Sequence, residues 1–169
     1  FRVRDSLIAD PAKAKVPVAE LLSPGYADAL RREIDGSKAM HMDALDQVPV
    51  HPDTIFLTVV DSDRNTISFI NSVFSTFGST LVAPKSGVML HNRGTGFVLT
   101  PGHPNCIAPR KRPLHTIIPG LAMREGRAVM PFGVMGGHFQ PTGHAHLVTN
   151  VVDYGMDPQE ALDSPRVFH

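Results

Sequence analysis

Apolar residues along this chain change their spacing near residue 54, and the change divides the sequence into two textures. Upstream, short helical pieces are separated by polar joints. Ser23 followed by Pro24 makes an N-cap and first-turn pair, and Tyr26, Ala29, Leu30 and Ile34 then recur at helical spacing until Asp35-Gly36 ends the pattern. From Gly36 to Asp53 periodicity vanishes, and prolines at 49 and 52 mark an exposed connector open to cleavage. From Thr54 the pattern turns strand-like: TIFLTVVD, the turn residues Ser62-Asp63-Arg64-Asn65, then TISFINSV, which together predict a β-hairpin. A short apolar run at Gly87 to Leu90 precedes the irregular, proline-rich loop PGHPNCIAPRKRP. A second hairpin is predicted from TIIPGLAM and RAVMPFGVM around Arg124-Glu125-Gly126, ended by Gly136-Gly137. Leu147, Val148, Val151, Val152 and Tyr154 then line one face of a helix closed by Gly155, and Asp157-Pro158 opens another. Strands followed by helices predict an α+β layered arrangement rather than alternating βαβ units.

Composition narrows the function classes. The 169 residues are 42% hydrophobic, enough for a real core. Lys plus Arg and Asp plus Glu both total 16, so no global field favours nucleic acid or an anionic membrane. No segment approaches the roughly 20 apolar residues of a membrane span. The single cysteine, Cys106, excludes an intrachain disulfide framework and a multi-cysteine zinc site. The compartment stays open, cytoplasmic or periplasmic in a bacterium.

Thr54 is the most informative position, because it stands where the exposed connector meets the first strand. A threonine hydroxyl is a weak nucleophile until a base removes its proton, and the residue's own α-amine can serve once the preceding bond is cut. That amine's reference pKa of about 7.7 to 8.0 suits the role. On this reading Asp53-Thr54 is a processing site. On the residues alone, an ordinary strand-start threonine is the better explanation of the position.

A wider set of phrases bears on the choice. DTIFLTVVDSDRNTISFINSVFSTFGS, GVMLHNRGTGF, APRKRPLHTIIPG, VMGGHFQPTGH and VDYGMDPQEALDSPRVFH follow one another in an order that resembles successive blocks of the gamma-glutamyltranspeptidase family. RDSLIADP and VPVAELLSPGYADALRREI are similar to the end of that family's large subunit. The resemblance implies an Ntn-hydrolase-type αββα sandwich, incomplete in this chain, and a precursor that cuts itself. It divides the sequence into residues 1–53, the tail of a large subunit, and 54–169, the start of a catalytic small subunit. Thr54 then takes the nucleophile's place, Ser72 the hydroxyl that hydrogen-bonds it, and Gly136-Gly137 the oxyanion hole. Two adjacent glycines let backbone N–H groups approach a tetrahedral oxyanion closely, although a bare Gly-Gly is also an ordinary turn.

The implied substrate positions depart from the family pattern. In the block that contains Asn92, Arg93 and Gly96 stand where typical members carry the glutamine and aspartate that hold the α-amino and α-carboxyl groups of a gamma-glutamyl donor. His115-Thr116 replace paired serines, and Phe74 replaces an asparagine. The amine-binding carboxylate is therefore missing, and an α-ammonium buried without a counter-charge costs several kcal/mol. Arg93 suits a carboxylate instead, as in an acylase for a dicarboxylic acyl group without the amine. The implied activity is cleavage of gamma-glutamyl or related acyl amides through an acyl-enzyme, with no cofactor or metal. The remainder of both subunits would be its partner. A cephalosporin (glutaryl) acylase-like hydrolase and a catalytically silent, unprocessed fragment stand as alternatives.

Three other groups carry weaker expectations. His138, His144 and His146 lie close in sequence but lack the HExxH arrangement and a nearby carboxylate, so they read as loop and helix residues. Arg110-Lys111-Arg112 reads as a solvated basic loop rather than a nucleic-acid footprint. Cys106 in the same loop has no base that spacing alone can assign.

Overall fold

Alternation from Thr54 onward is realised as two antiparallel strands, β1 (Asp53–Val60) and β2 (Thr66–Phe74). The computed structural model describes residues 1–39 and 53–166, so most of the connector expected between Gly36 and Asp53 lies outside the described residues. Asp61 closes the hairpin. Its carboxylate accepts the N–H groups of Asp63 and Asn65 at 3.0 and 2.8 Å and the Asn65 amide at 2.8 Å, which holds it below the ordinary carboxylate range. One hairpin face carries Ile55, Leu57 and Val59 beside Ile67 and Phe69, all exposed. The other sets Phe56 opposite the buried Ile70. Gly133 makes room there, since a Cβ at that position would fall 2.5 Å from the Phe56 ring.

The second hairpin pairs β3 (Gly120–Arg124) with β4 (Arg127–Phe132) through a two-residue loop. Glu125 and Gly126 have φ of +50° and +76°, the left-handed pair that matches strand twist. Both strands are shorter than the sequence pattern suggests. Pro119 has no N–H to donate, and the Ile118 N–H goes to the Gln140 side chain at 3.3 Å, so β3 starts only at Gly120. The run from Gly87 to Leu90 makes a single bridge, Val82 to Met89, too short to be a strand. Ser68 links the hairpins by donating to the Phe132 carbonyl at 3.2 Å.

The helices follow their caps. With α1 (Arg2–Leu7) and α2 (Val18–Leu21) preceding it, α3 (Pro24–Arg32) is opened by Ser23, whose hydroxyl accepts the Tyr26 N–H at 3.1 Å. It ends two residues before Ile34, which is exposed. Near the other end of the chain, α4 (Gln140–Val152) closes as its glycine suggests: Gly155 turns at φ +68° and the Met156 N–H reaches the Asn150 carbonyl at 3.0 Å. Its buried line differs from the expected apolar stripe. Gln140, Gly143, Leu147 and Asn150 face inward, whereas Val152 and Tyr154 are exposed. The inward polar groups are satisfied, Gln140 by Ile118 and Asn150 by the Ser164 hydroxyl at 2.8 Å, which removes the usual penalty for burying them. Asp157 and Glu160 form a capping box that starts α5 (Pro158–Asp163). The fold is α+β.

The chain divides into two compact units, Phe1–Val48 with Gly94–Leu114, and Pro49–Arg93 with His115–His169. In the first, the proline-rich loop is held by buried Asn105. Its amide donates to the Gly96 carbonyl at 2.6 Å and accepts the Leu114 N–H at 2.9 Å. The basic run is not simply solvated. Lys111 folds back onto the Pro104 and Cys106 carbonyls, and Arg112, which like Arg110 is exposed, pairs with Asp10 at 2.9 Å. Among the described residues no helix is long and apolar enough to cross a membrane.

Two titrations test this packing. The Arg112 side chain and N–H, with the Ala12 N–H, hold the Asp10 carboxyl far below the usual range. A carboxyl lowered in the folded state stabilises fully above its unfolded value of about 3.9 and loses that contribution as pH falls through the folded value. The protection factor of the Arg112 amide, taken relative to intrinsic exchange at each pH, should therefore be full above about pH 4 and decline at lower pH. In Asp10→Asn it should be smaller and independent of pH; equal protection factors in both proteins would contradict the tie. In the second unit, burial lowers the His144 pKa, and its Nε2 accepts the Val134 N–H at 3.3 Å. Neutral His144 contributes fully above about pH 6.5, and the contribution declines as pH drops below that. An NMR titration should give His144 a midpoint under 6.5, and a higher one would show that it is not buried in neutral form.

Candidate active site

Thr54 and Ser72 meet because β1 and β2 pair in a register that sets their Cα atoms opposite each other. The Thr54 hydroxyl donates to Ser72 Oγ at 3.1 Å. Both side chains are half-buried. The register slips by one residue between Asp53 and Thr54: Asp53 pairs with Phe74 and Thr54 with Ser72, so Val73 is the extra residue of a β-bulge facing the Asp53-Thr54 bond.

Phe74 completes the bulge in a conformation that L residues with a bulky side chain rarely adopt, φ +80°. Such a backbone costs on the order of 1–3 kcal/mol and persists where its surroundings fix it. Here they do. The Phe74 N–H donates to Ser72 Oγ at 3.0 Å, the oxygen that also receives the Thr54 hydroxyl. On the far side Asn92 grips the next residue, accepting the Ser75 N–H at 3.0 Å and donating to its hydroxyl at 2.8 Å, while the Asn92 N–H reaches the Val73 carbonyl at 3.2 Å. Asn92, a candidate substrate contact in the sequence, thus has both ends of its amide on Ser75.

Arg93 follows at the head of a 3-10 turn, Arg93–Gly96, and is only 5% exposed. Its Nη1 donates to Thr116 Oγ1 at 2.9 Å, and its guanidinium carbon lies 5.1 Å from the centre of the Phe74 ring. Burial lowers its pKa, but a guanidinium keeps its charge. Thr116, Arg93 and Phe74 therefore form one connected group within the second unit. His115 is exposed, and its Nδ1 accepts the Ile117 N–H at 3.2 Å. Gly96 belongs to the first unit, where a Cβ would meet the Leu114 carbonyl at 3.2 Å.

Gly136 and Gly137 both adopt positive φ, +125° and +56°, conformations that favour glycine at both positions. Among the described residues no acceptor takes either N–H. The Gly136 carbonyl accepts from Phe139, and a Cβ on Gly136 would lie 3.3 Å from the Phe139 side chain. His144 holds the Val134 N–H two residues before this turn, and Gln140 holds the Ile118 N–H before β3, so both segments are tied to α4. Neither signal was visible in residue spacing, because each depends on a helix face meeting a distant loop. Within the histidine cluster, His144 and His146 serve different partners. His146 shares Ser164 with Asn150, and among the described residues no group of three or more His, Cys, Asp or Glu is arranged to hold a metal.

Comparison with known proteins matches the chain as a whole to a family. The gamma-glutamyltranspeptidase pattern matches residues 1–169. The chain is 39% identical over 166 residues to a glutathione hydrolase-like proenzyme of Bacillus subtilis, covering 98% of this chain and 31% of that protein. An oxamate amidohydrolase proenzyme of Klebsiella pneumoniae is 37% identical, with the same two coverages. Among solved structures, a cephalosporin acylase from Bacillus halodurans superimposes with a TM-score of 0.81 at 39% identity, over 95% of this chain and 29% of that one. The chain thus spans 31% of the length of these curated relatives. A match along all its residues and a shared backbone establish that the chain belongs to the gamma-glutamyltranspeptidase family.

Proposed function

We propose that the whole protein is a threonine-nucleophile amidohydrolase or acyltransferase that matures by cutting its own Asp53-Thr54 bond. The observation that carries this reading is the 3.1 Å hydrogen bond between Thr54 and Ser72 at a bulge opposite that bond. In maturation the Thr54 hydroxyl adds to the Asp53 carbonyl, the peptide C–N bond breaks, and the resulting ester is opened by water. Asp53 leaves as a carboxylate and Thr54 gains a free α-amine. In turnover that amine takes the hydroxyl proton as Thr54 Oγ attacks a substrate amide carbonyl, then delivers it to the departing amine as the C–N bond breaks. Water or an acceptor amine releases the acyl group. The Gly136 and Gly137 N–H groups hold the oxyanion of each tetrahedral intermediate.

On this reading residues 1–53 end the large subunit and 54–169 begin the small one. The two hairpins contribute to an αββα sandwich completed by the remainder of both subunits. The substrate is a small acyl amide, gamma-glutamyl or related. Arg93 and Gly96, in place of an amine-binding pair, favour acyl groups without an α-amine, the glutaryl acylase form of the activity. The name of the Klebsiella relative points the same way, since oxamate is an amide that carries a carboxylate and no amine.

N-terminal sequencing of the purified full-length protein should give a new chain starting Thr54-Ile55-Phe56. Thr54→Ala should remain uncut and lose turnover at least about 1,000-fold, whereas Thr54→Ser should still mature. Maturation and turnover undiminished in Thr54→Ala would sink the proposal, and a full-length wild type that stays uncut would establish the silent alternative. Gly136→Ala adds a Cβ at φ +125° beside Phe139 and should slow acylation about 100-fold. Burst kinetics with an anilide would measure this, and an unchanged burst rate would remove Gly136 from the oxyanion hole.

A further inference from the structure

The chain that leaves β4 runs past Phe56 of β1 and the first turn of α4 before it reaches the glycine turn. Gly133 leaves room for the Phe56 ring, and Phe56 shares a strand face with Thr54 two residues before it. On the α4 side three positions meet this segment. The Phe139 ring lies where a Cβ on Gly136 would come within 3.3 Å of it. A Cβ on Gly143 would fall 2.7 Å from the same ring and 2.8 Å from the Val134 side chain, so the missing side chain lets both approach. His144, the next residue, meets the Phe132 ring edge to face at 5.1 Å between centres and accepts the Val134 N–H at Nε2, 3.3 Å away.

Phe139 and Gly143 contribute shape, which pH does not alter. His144 contributes a lone pair, which a proton can occupy. Only the neutral ring with its proton on Nδ1 accepts at Nε2; an imidazolium carries N–H at both nitrogens, and the Val134 N–H then faces a donor. A half-buried backbone donor without its acceptor is unfavourable, so the segment leading into Gly136 loses its directional hold. Other ionisable side chains on the surrounding elements are His138 in the turn, His146 on α4, which reaches Ser164, Arg124, Glu125 and Arg127 around the loop of the second hairpin, and Asp157, Glu160 and Asp163 at α5. Glu160 accepts the Asp157 N–H and Asp163 the Gln159 amide, and burial alone acts on the ionisation of His144.

We propose that His144 in its neutral form is a positioning residue for the glycine turn, fixing through Val134 the backbone that leads to the Gly136 and Gly137 N–H groups, and that protonation of its ring releases that backbone. The inference rests on the threonine-nucleophile reading with those two N–H groups as oxyanion donors, and it adds an acid limit on acylation. Burial moves that limit below the ordinary histidine value of about 6.5, so the neutral form persists to lower pH and the hold is lost as pH falls through the folded pKa.

The test uses the full-length protein, glutaryl p-nitroanilide and pH-jump burst kinetics from a common stock at about pH 8. His144→Gln sets a non-titrating oxygen near the place of Nε2 and should keep acylation at that pH within about threefold of wild type. His144→Leu has no acceptor and should be about tenfold slower, with little change in KM. The Thr54 amine titrates alike in all three proteins, so ratios of rates isolate His144. Wild type over His144→Gln should be flat above about pH 7 and drop about tenfold through the His144 midpoint, while wild type over His144→Leu should fall from about ten toward one across the same range. With nitrogen-15-labelled valine and glycine, the wild-type Val134 and Gly136 amide resonances should move with the midpoint of the His144 ring. Intact mass reports whether each variant matures, and if either stays uncut the wild-type amide titration decides. Ratios that do not vary with pH, or Val134 and Gly136 amides that ignore the titration of the ring, overturn the positioning role while leaving Thr54 in place. Turnover that survives Thr54→Ala, or a burst rate unchanged in Gly136→Ala, overturns the reading of the site instead.

Discussion

One oxygen atom organises this part of the molecule. Ser72 Oγ receives the Thr54 hydroxyl from across the sheet and the Phe74 N–H from two residues along its own strand. A neutral hydrogen bond contributes only about 1 kcal/mol net, comparable to the lower end of what a phenylalanine loses at positive φ. The bulge is therefore held by several modest contacts acting together rather than by one strong one. Asn92 supplies the rest by gripping Ser75 and Val73 beyond it. A regular ladder would have carried β2 straight past Thr54, whereas the extra residue re-aims Phe74 and changes what lies next to the threonine.

Satisfied polar links also tie the second unit together. Among the described residues its large buried apolar side chains are Ile70, Phe139 and Leu147, and Gln140 at 1% exposure is the most deeply buried large side chain. Gln140 and His144 on α4 hold backbone N–H groups at Ile118 and Val134, so directional bonds join the helix to the segment before β3 and to the one before the glycine turn. Such bonds fix position more sharply than apolar contact does.

How much of this was legible in the sequence varies with the range of the interaction. The first hairpin was readable because alternation and the Asp61 to Asn65 turn are local, and the caps at Ser23 and Asp157 were readable for the same reason. The second hairpin was found but overextended, since Pro119 and Gly133 limit strands through a missing donor and a missing side chain. The α4 stripe was misread because apolar periodicity does not reveal a helix that buries a glutamine and an asparagine against distant partners. The basic run was read as solvated because Asp10 lies 102 residues from Arg112. The site residues emerged as a set through resemblance, but the strain at Phe74 and the burial of Arg93 against Thr116 and Phe74 are properties of three-dimensional neighbours.

Phe74 carries two duties on one backbone. Glycine at that position would relax the left-handed conformation yet remove the surface on which the guanidinium rests, and any larger replacement would keep the strain while reshaping that surface. Through the shared Ser72 contact, either change also reaches the threonine. The backbone conformation at 74, the footing of the Arg93 guanidinium and the setting of the Thr54 hydroxyl are consequently not independent, and a substitution at 74 alters all three together.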